Sequence, residues 1–160
     1  MKTRVGFGFD VHQLKEGSDF FIGGVKVTHN KGAVGHSDAD VLIHAICDAL
    51  LGAAAMGDIG KHFPDTDMAY KGIDSKELLK HVCLLLEKEK YQIGNIDCTI
   101  CLQLPQILPY IEEMRSVLSV ILKIEVSDVS IKATTTERLG YVGREEGVSA
   151  YAVALIEKAS

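Results

Sequence analysis

Hydrophobic positions recur along the chain with two different periods, and these periods divide it into strands and helices. Extended apolar segments predict strands over 4–12, 95–103, 128–133 and 148–156. Amphipathic segments predict helices over about 38–55, from near Ser75 through "DSKELLKHVCLLLEKEK", and over about 107–122. Residues 19–27 predict a hairpin that turns at Gly23 and Gly24. This order predicts one α/β (α+β) domain, with a mixed four-stranded sheet, helices on one face and a small hairpin.

The last predicted strand is apolar on both faces. One face would carry Val148, Ala150, Ala152 and Ala154, and the other would carry Tyr151, Val153 and Leu155. A strand buried on both sides needs a second layer beyond the helices that cover the first face. Since the chain is short, a neighbouring subunit is the candidate for that layer, and we expect an oligomer.

Composition narrows the function classes without selecting one. The chain has 160 residues and a net charge of −5, which predicts a single globular domain and argues against nucleic-acid binding. No apolar run is long enough for a membrane span, and no signal peptide is evident. We therefore expect a cytoplasmic protein, although an organelle protein that has lost its transit peptide would look the same.

Four cysteines raise the question of a disulfide or a zinc site. Cys98 and Cys101 form a CxxC pair, but it lies in a predicted strand, where residues three apart face opposite sides. We interpret all four cysteines as small buried residues of a reducing compartment.

The first strand ends in "GFGFDVHQL", where Asp10 and His12 follow a run of glycine and phenylalanine. Side chains two apart in a strand share a face, so this carboxylate and this imidazole would converge. Such a pair alone is weak evidence for a metal ligand set, because the polar end of a strand that meets water gives the same pattern.

A second polar cluster begins the first long helix. His36, Asp40, His44 and Asp48 recur every four residues and predict a polar stripe on the helix. Together with the strand end, this stripe suits a divalent transition metal with three protein ligands and one open position. The alternative is a solvated helix face whose capping box has Ser37 at the N-cap and Asp40 at N3. Spacing does not decide which three residues would bind.

A third stretch, "KATTTERLGYVGREEG", offers hydroxyl and amide donors to phosphate oxygens. Glu137 is a candidate ligand for a harder cation such as magnesium, or else completes a capping box with Thr134. Arg144 is a candidate partner for an anion, or for Glu145 or Glu146. The proline-bounded segment 102–109 predicts either a loop that offers backbone groups to a ligand or simply a helix start. "GFGFDV" is not a dinucleotide fingerprint, because Val11 replaces the third glycine and no helix follows.

Six ordered stretches together resemble one family over essentially the whole of 1–160. They are "GFDVH", "GHSDADVLIHAICDALLGAAAMGDIGKHFPDTD", "YKGIDS", "IGNID", "LPQILPYIEEMR" and "IKATTTERLGYVGREEG". They resemble the 2-C-methyl-D-erythritol 2,4-cyclodiphosphate synthases of the non-mevalonate isoprenoid pathway. The resemblance implies conversion of 4-diphosphocytidyl-2-C-methyl-D-erythritol 2-phosphate to the cyclic diphosphate, with release of CMP. It also implies a homotrimer whose sheets face its axis and whose active sites lie between subunits.

The resemblance also implies the site residues and cofactors. Zinc would be held by Asp10, His12 and His44, and magnesium by Glu137, with manganese able to replace either metal. The phosphate and erythritol end of the substrate would meet His36, Ser37, Asp58, Ile59, Gly60, Phe63, Asp65 and Ser75. The cytidine end would meet Leu102, Pro105, Gln106, Ile107, Leu108, Ala133, Thr134 and Thr135. Tyr141 and Arg144 would face a cavity on the threefold axis that takes an isoprenoid diphosphate.

The implied reaction is an attack of the 2-phosphate on the β-phosphorus, which needs charge neutralisation and in-line placement more than a general base. Asp40 is then expected to orient a ligand histidine or the helix start. Two positions depart from the family pattern: Gln106 stands where lysine is common, and Tyr141 where phenylalanine is frequent. The competing interpretations are a metal hydrolase with a small phosphorylated substrate and a trimeric ligand-binding protein without turnover.

Overall fold

The computed structural model describes residues 1–159, which form one α/β domain. Its strands are β1 (Lys2–Glu16), β2 (Phe20–Ile22), β3 (Val25–Val27), β4 (Lys31–Val34), β5 (Tyr91–Cys101), β6 (Val129–Thr134) and β7 (Gly147–Lys158). Its helices are α1 (Val41–Ala53), α2 (Ile59–His62), α3 (Ser75–Lys88), α4 (Ile111–Leu122) and α5 (Gly140–Gly143). Short 3₁₀ turns cover Met68–Tyr70, Leu108–Tyr110 and Val126–Asp128. The predicted order of elements is confirmed, and β2 and β3 form the predicted hairpin.

The main sheet is mixed, as predicted, but it has five strands rather than four. Its order is β4-β1-β7-β5-β6, and all neighbours are antiparallel except the parallel pair β5 and β6. The additional strand, β4, pairs with the far end of β1 from Gln13 to Glu16. Its four residues, "KGAV", carry too little pattern to predict a strand alone. They are extended because β1 runs past residue 12 and offers them an edge.

Helix α1 packs directly against β1, and two glycines permit this contact. A Cβ on Gly6 would lie 1.8 Å from the carbonyl oxygen of Ala49, and one on Gly8 would lie 1.9 Å from that of Ala45. Larger residues at either position would therefore push the helix off the strand. Because alternate residues share a face, the same approach directs Asp10 and His12 to the helix side of the sheet.

The opposite face of β1 and β7 is apolar and exposed. Phe7 is 61% exposed, Phe9 40%, Tyr151 39% and Val153 42%, and Tyr151 contacts the rings of both phenylalanines. The helix-facing positions of β7 are buried, as predicted: Val148, Ala150, Ala152 and Ala154. One face of the strand is thus covered within the chain and the other is bare.

The N-terminus of α1 differs from the prediction. The helix begins at Val41 rather than near 38, and its N-cap is Asp40 rather than Ser37. The Asp40 carboxylate is fully buried and accepts hydrogen bonds from the backbone N–H groups of Ile43, Gly23 and Gly24. It therefore joins the helix start to the hairpin turn, a long-range contact that local capping patterns do not contain. Orienting the helix start was one of the two roles expected of this residue.

The four cysteines are free thiols. Cys98 is buried while Cys101 is partly exposed, as expected for residues on opposite faces of β5. Burial raises the pKa of the Cys98 thiol to about 12. Within the described residues, every helix is too short or too polar to cross a membrane.

Candidate active site

Three predicted ligands converge where β1 meets α1. Asp10 Oδ2 lies 2.8 Å from His12 Nε2 and 3.1 Å from His44 Nδ1, and the two ring nitrogens are 3.2 Å apart. The donor atoms of Asp10, His12 and His44 all lie within 4.8 Å of one another. His36 and Asp40, which spacing alone left open as ligands, stand outside this cluster.

The ring of His12 is oriented for this role by the backbone. Its Nδ1 lies 3.2 Å from the carbonyl oxygen of Val34, which can only accept a hydrogen bond. In the neutral ring the proton therefore resides on Nδ1, and the lone pair of Nε2 points at the cluster. A metal-ligating histidine typically donates its second N–H in this way.

His44 is held from behind by two hydroxyl groups. Its Nε2 lies 3.0 Å from Ser75 Oγ and 3.1 Å from Ser37 Oγ, so its Nδ1 faces Asp10. Ser75 was expected to line the substrate cavity, but its side chain is fully buried behind His44. The ring itself is buried, with 7% of its surface exposed.

The electrostatics of the cluster favour an ionised carboxylate beside a basic ring. Burial alone would raise the pKa of Asp10, but hydrogen bonds and charge from His12 and His44 outweigh it and lower that pKa to about 2. Burial would likewise lower the pKa of His12, and the hydrogen bond and charge of Asp10 raise it instead. The carboxylate is therefore in its metal-binding form across the physiological pH range.

This donor set fits a divalent transition metal. One carboxylate oxygen and two imidazole nitrogens with fixed lone pairs form a three-ligand set of the kind that leaves a position open to a substrate. A cavity of about 320 Å³ adjoins the cluster. Six predicted substrate residues line it: His36, Ser37, Ile59, Gly60, Phe63 and Asp65.

A carboxylate in α1 fixes the position of Ile59, one of the residues that line this cavity. Asp48 Oδ1 accepts a hydrogen bond from the backbone N–H of Ile59 at 2.8 Å, and this bond holds the start of α2 beside α1. Burial raises the pKa of Asp48. Asp58, predicted to hold substrate hydroxyls, caps α2 by accepting from the Lys61 N–H and is exposed next to the cavity rather than part of its lining.

A second cavity, of about 470 Å³, lies between the loop after β5 and the end of β6. Its lining includes all eight residues predicted for cytidine: Leu102, Pro105, Gln106, Ile107, Leu108, Ala133, Thr134 and Thr135. Sheet register places it away from the metal cluster, because Thr134 pairs with Cys101, Cys101 with Ser149, and Ser149 with Val11. Three strand spacings correspond to about 14 Å.

The segment after β6 carries the remaining predicted residues. The hydroxyl of Thr134 donates to the Thr135 carbonyl, and Glu137 adopts a left-handed φ of 53°, so these two residues do not form a helical capping box. The Glu137 side chain is exposed and stands apart from the Asp10 cluster.

Further along this segment, Arg144 pairs with Glu146, with Nε and Oε1 3.0 Å apart, which is one of the two partners weighed for it. Tyr141 hydrogen-bonds to Ser149.

Sequence reasoning missed four residues around the Asp10, His12 and His44 cluster and the cavity beside it. Tyr70, Ile73 and Leu78 line the cavity, and Asp38 hydrogen-bonds to Ser75 behind His44. The three lining residues come from the loop before α3 and from α3 itself, and only folding brings them to β1. Asp38 lies in "GHSDAD", but no period connects it to Ser75.

Comparison with known proteins gives concordant results. A sequence model described as the YgbB family matches residues 3–157. The 2-C-methyl-D-erythritol 2,4-cyclodiphosphate synthase of Porphyromonas gingivalis is 61% identical over 153 residues, covering 96% of this chain and 94% of that protein.

Two solved structures are also similar. The CDP complex of IspF from Plasmodium falciparum has a TM-score of 0.87 at 33% identity, covering 99% of this chain and 97% of that one. The bifunctional IspDF from Campylobacter jejuni has a TM-score of 0.95 at 36% identity. This chain is covered to 99% in that comparison but spans only 43% of the bifunctional protein.

Proposed function

The chain belongs to the YgbB family, and from that membership we propose that it is a 2-C-methyl-D-erythritol 2,4-cyclodiphosphate synthase. It would convert 4-diphosphocytidyl-2-C-methyl-D-erythritol 2-phosphate to the cyclic diphosphate and release CMP. The observation that carries the proposal is the convergence of Asp10, His12 and His44 beside a cavity lined by six of the predicted substrate residues. A named synthase with 61% identity over 153 residues supports it.

The proposed cofactors are zinc at Asp10, His12 and His44, and magnesium at Glu137, with manganese able to replace either. Divalent cations supply positive charge that offsets the repulsion between the attacking phosphate and the diphosphate. The two imidazoles suit the softer ion and the lone carboxylate suits the harder one.

The chain's own residues then have binding and orienting roles. The 2-phosphate would lie against His36 and Ser37, and Asp58, Ile59 and Gly60 would hold the erythritol hydroxyls. Phe63 and Asp65 close the cavity on the loop side. Because the 2-phosphate is already ionised at neutral pH, no general base is required, and in-line placement of the reacting groups accounts for the chemistry.

The cytidine end would occupy the second cavity. The loop over 102–108 would offer backbone groups to the base. Ala133, Thr134 and Thr135 would offer amides and hydroxyls to the diphosphate, and magnesium at Glu137 would offset its negative charge. The CDP bound to the Plasmodium falciparum relative supports a cytidine nucleotide as the ligand.

We further propose a homotrimer whose sheets face its axis and whose active sites are completed between subunits. The bare apolar face of β1 and β7 supports the assembly, because Phe7, Phe9, Tyr151 and Val153 would otherwise remain in water. The separation of the two cavities within one chain supports sites shared between neighbours, since a neighbour would bring a second cavity closer.

Two finer proposals follow from the same assembly. Tyr141 and Arg144 would face a central cavity able to take an isoprenoid diphosphate, with the exposed Arg144 guanidinium as the anion partner once it leaves Glu146. The four free cysteines are typical of a reducing compartment and support a cytoplasmic location.

The direct test is incubation of the purified protein with the cytidylyl substrate, followed by ³¹P NMR and measurement of CMP. We expect a cyclic diphosphate and CMP in equal amounts, and loss of both on treatment with a chelator. His44→Ala should reduce the rate by about a thousandfold or more, whereas His29→Ala, at a histidine outside both cavities, should match the wild type. Ring-free phosphate would indicate a hydrolase, and tight binding without turnover would indicate a binding protein.

A further inference from the structure

A chain of hydrogen bonds continues behind His44, away from the cavity. Ser75 Oγ lies 3.0 Å from His44 Nε2 and also hydrogen-bonds to Asp38 Oδ1. Ser75 is fully buried at the first turn of α3. The order of groups is therefore carboxylate, hydroxyl, imidazole, and then the cluster of candidate metal ligands.

The proton count along this chain has one solution when a metal is bound at His44 Nδ1. A serine hydroxyl has a single hydrogen, and the Ser75 hydroxyl donates it to Asp38 Oδ1. Ser75 Oγ must then accept from the Nε2–H of the metal-bound ring. Without a metal, His44 Nδ1 lies 3.1 Å from Asp10 Oδ2 and can donate to that carboxylate.

The second hydroxyl at His44 does not impose this state. Ser37 Oγ lies 3.1 Å from Nε2 and accepts from the Ala39 N–H, but within residues 1–159 it has no hydrogen bond to a carboxylate. Its hydroxyl hydrogen is free to point at the ring, so Ser37 is compatible with either tautomer. The direction of the His44–Ser75 bond depends on Asp38.

Asp38 is itself held firmly. Its Oδ2 accepts from the Ser75 N–H at 3.0 Å, and its Oδ1 accepts from the Asp40 N–H at 3.2 Å. Its own N–H donates to the Ile73 carbonyl. These bonds attach the start of α1 to the start of α3, so the hydroxyl of Ser75 has little freedom to turn away from the carboxylate.

We propose that Asp38, acting through Ser75, is a positioning residue that keeps Ser75 Oγ as the acceptor for the Nε2–H of a metal-bound His44 and so raises the affinity of the cluster for a divalent metal. The inference rests on the proposed function only in assuming that Asp10, His12 and His44 bind a metal. Removal of an outer hydrogen-bond partner of a ligand histidine commonly weakens metal binding by about ten- to a hundredfold.

The first measurement is the Nε2–H of His44 in the Zn²⁺-loaded protein, read from its ¹H and ¹⁵N chemical shifts. We expect a downfield Nε2–H resonance in the wild type and an upfield shift in Ser75→Ala and Asp38→Asn, because the Ser75 acceptor is lost or turned away. Ser37→Ala should keep the wild-type resonance. A purely structural role for Asp38 would not change these shifts.

The second measurement is the Zn²⁺ dissociation constant, by competition with a chromophoric chelator. We expect it to rise about ten- to a hundredfold in Ser75→Ala and Asp38→Asn. Asp74→Asn is the matched control, because Asp74 caps the same helix through the Lys76 N–H and does not touch Ser75 Oγ. Thermal unfolding of the metal-free variants shows whether each is folded.

If both variants are folded and keep the wild-type Nε2–H resonance and Zn²⁺ affinity within twofold, the inference is wrong. If the wild type itself binds no Zn²⁺, the proposed metal function fails, which is a different outcome from variants that match a zinc-binding wild type. An altered Nε2–H resonance with unaltered affinity would also overturn the inference, because the hydrogen-bond chain would then have no effect on the metal.

Discussion

The two cavities are built by different means. At the metal end, which is the Asp10, His12 and His44 cluster with the cavity beside it, side chains from β1, α1 and α3 are joined by hydrogen bonds, and His44 and Ser75 are buried. At the proposed nucleotide end, which is the second cavity, two loops present backbone groups and apolar side chains, and Gln106, Leu108 and Thr134 remain exposed. The metal end is already organised in the isolated chain. The nucleotide end is an open surface, and in the proposed homotrimer a neighbouring subunit would cover it.

The largest expected effect tests whether one active site combines the metal end of one subunit with the nucleotide end of its neighbour. His44→Ala removes the metal end, and Ala133→Glu fills the nucleotide cavity and repels a diphosphate. Each variant alone should retain less than about a hundredth of wild-type activity. Subunits of the two variants mixed at random should regain activity in about a quarter of the sites, because a shared site can draw one intact half from each chain.

The control for this experiment mixes two metal-end variants, His44→Ala and Asp10→Ala, which should restore nothing. Sites contained within single chains would leave the first mixture inactive as well. That result would remove the proposal that neighbouring subunits complete each other's sites.

A smaller effect concerns the pH response of the metal-free cluster. The pKa of Asp10 in the folded chain is lowered from 3.8 to about 2. Its contribution to the free energy of unfolding is therefore present above pH 3.8 and is lost as pH falls towards 2. The raised pKa of His12 has the opposite sign: its contribution is present below 6.5 and is lost as pH rises through the folded value. Asp10→Asn should remove both contributions.

Chemical unfolding in the presence of a chelator measures this response. At pH 5 the metal-free variant should be less stable than the wild type by about 1–2 kcal/mol, allowing for partial exposure of the carboxylate. The difference should shrink towards pH 2. A constant difference across this range would mean that Asp10 contributes through packing rather than through its charge.

The smallest effect concerns the nucleotide end. Gln106 is exposed at the rim of its cavity, at the position where the family resemblance led us to expect lysine. Gln106→Lys should tighten CDP binding by about two- to fivefold at low salt, as expected for an exposed ion pair, and the gain should fade at high salt. Gln92→Lys adds the same charge outside this cavity. Calorimetry with CDP would count against the rim assignment if both variants behaved alike.

Much of the fold followed from local pattern. The hairpin at Gly23 and Gly24, the start of α3 at Ser75 and the two-faced strand β7 all agree with the prediction. The exceptions depend on partners distant in the chain. β4 needs the extended end of β1, and α1 starts at Val41 because Asp40 caps it while also binding the hairpin turn.

The candidate site divides in the same way. Strand period alone placed Asp10 and His12 on one side, and helical spacing offered His36, Asp40 and His44 without choosing among them. Family resemblance named His44, and the geometry brings it to the cluster. Nothing in the sequence indicated that Ser75 lies behind that ring rather than in the cavity, because the position of α3 relative to α1 is set by packing.

The sequence by itself determined which residues can bind a metal and which strand carries them, since side-chain chemistry and the two-residue period of a strand are local properties. The tertiary structure alone decided the lone-pair directions. The Val34 carbonyl orients His12, and Asp38 with Ser75 orients His44. A tautomer depends on what lies at hydrogen-bond distance behind the ring, and folding supplies those neighbours from other elements of the chain.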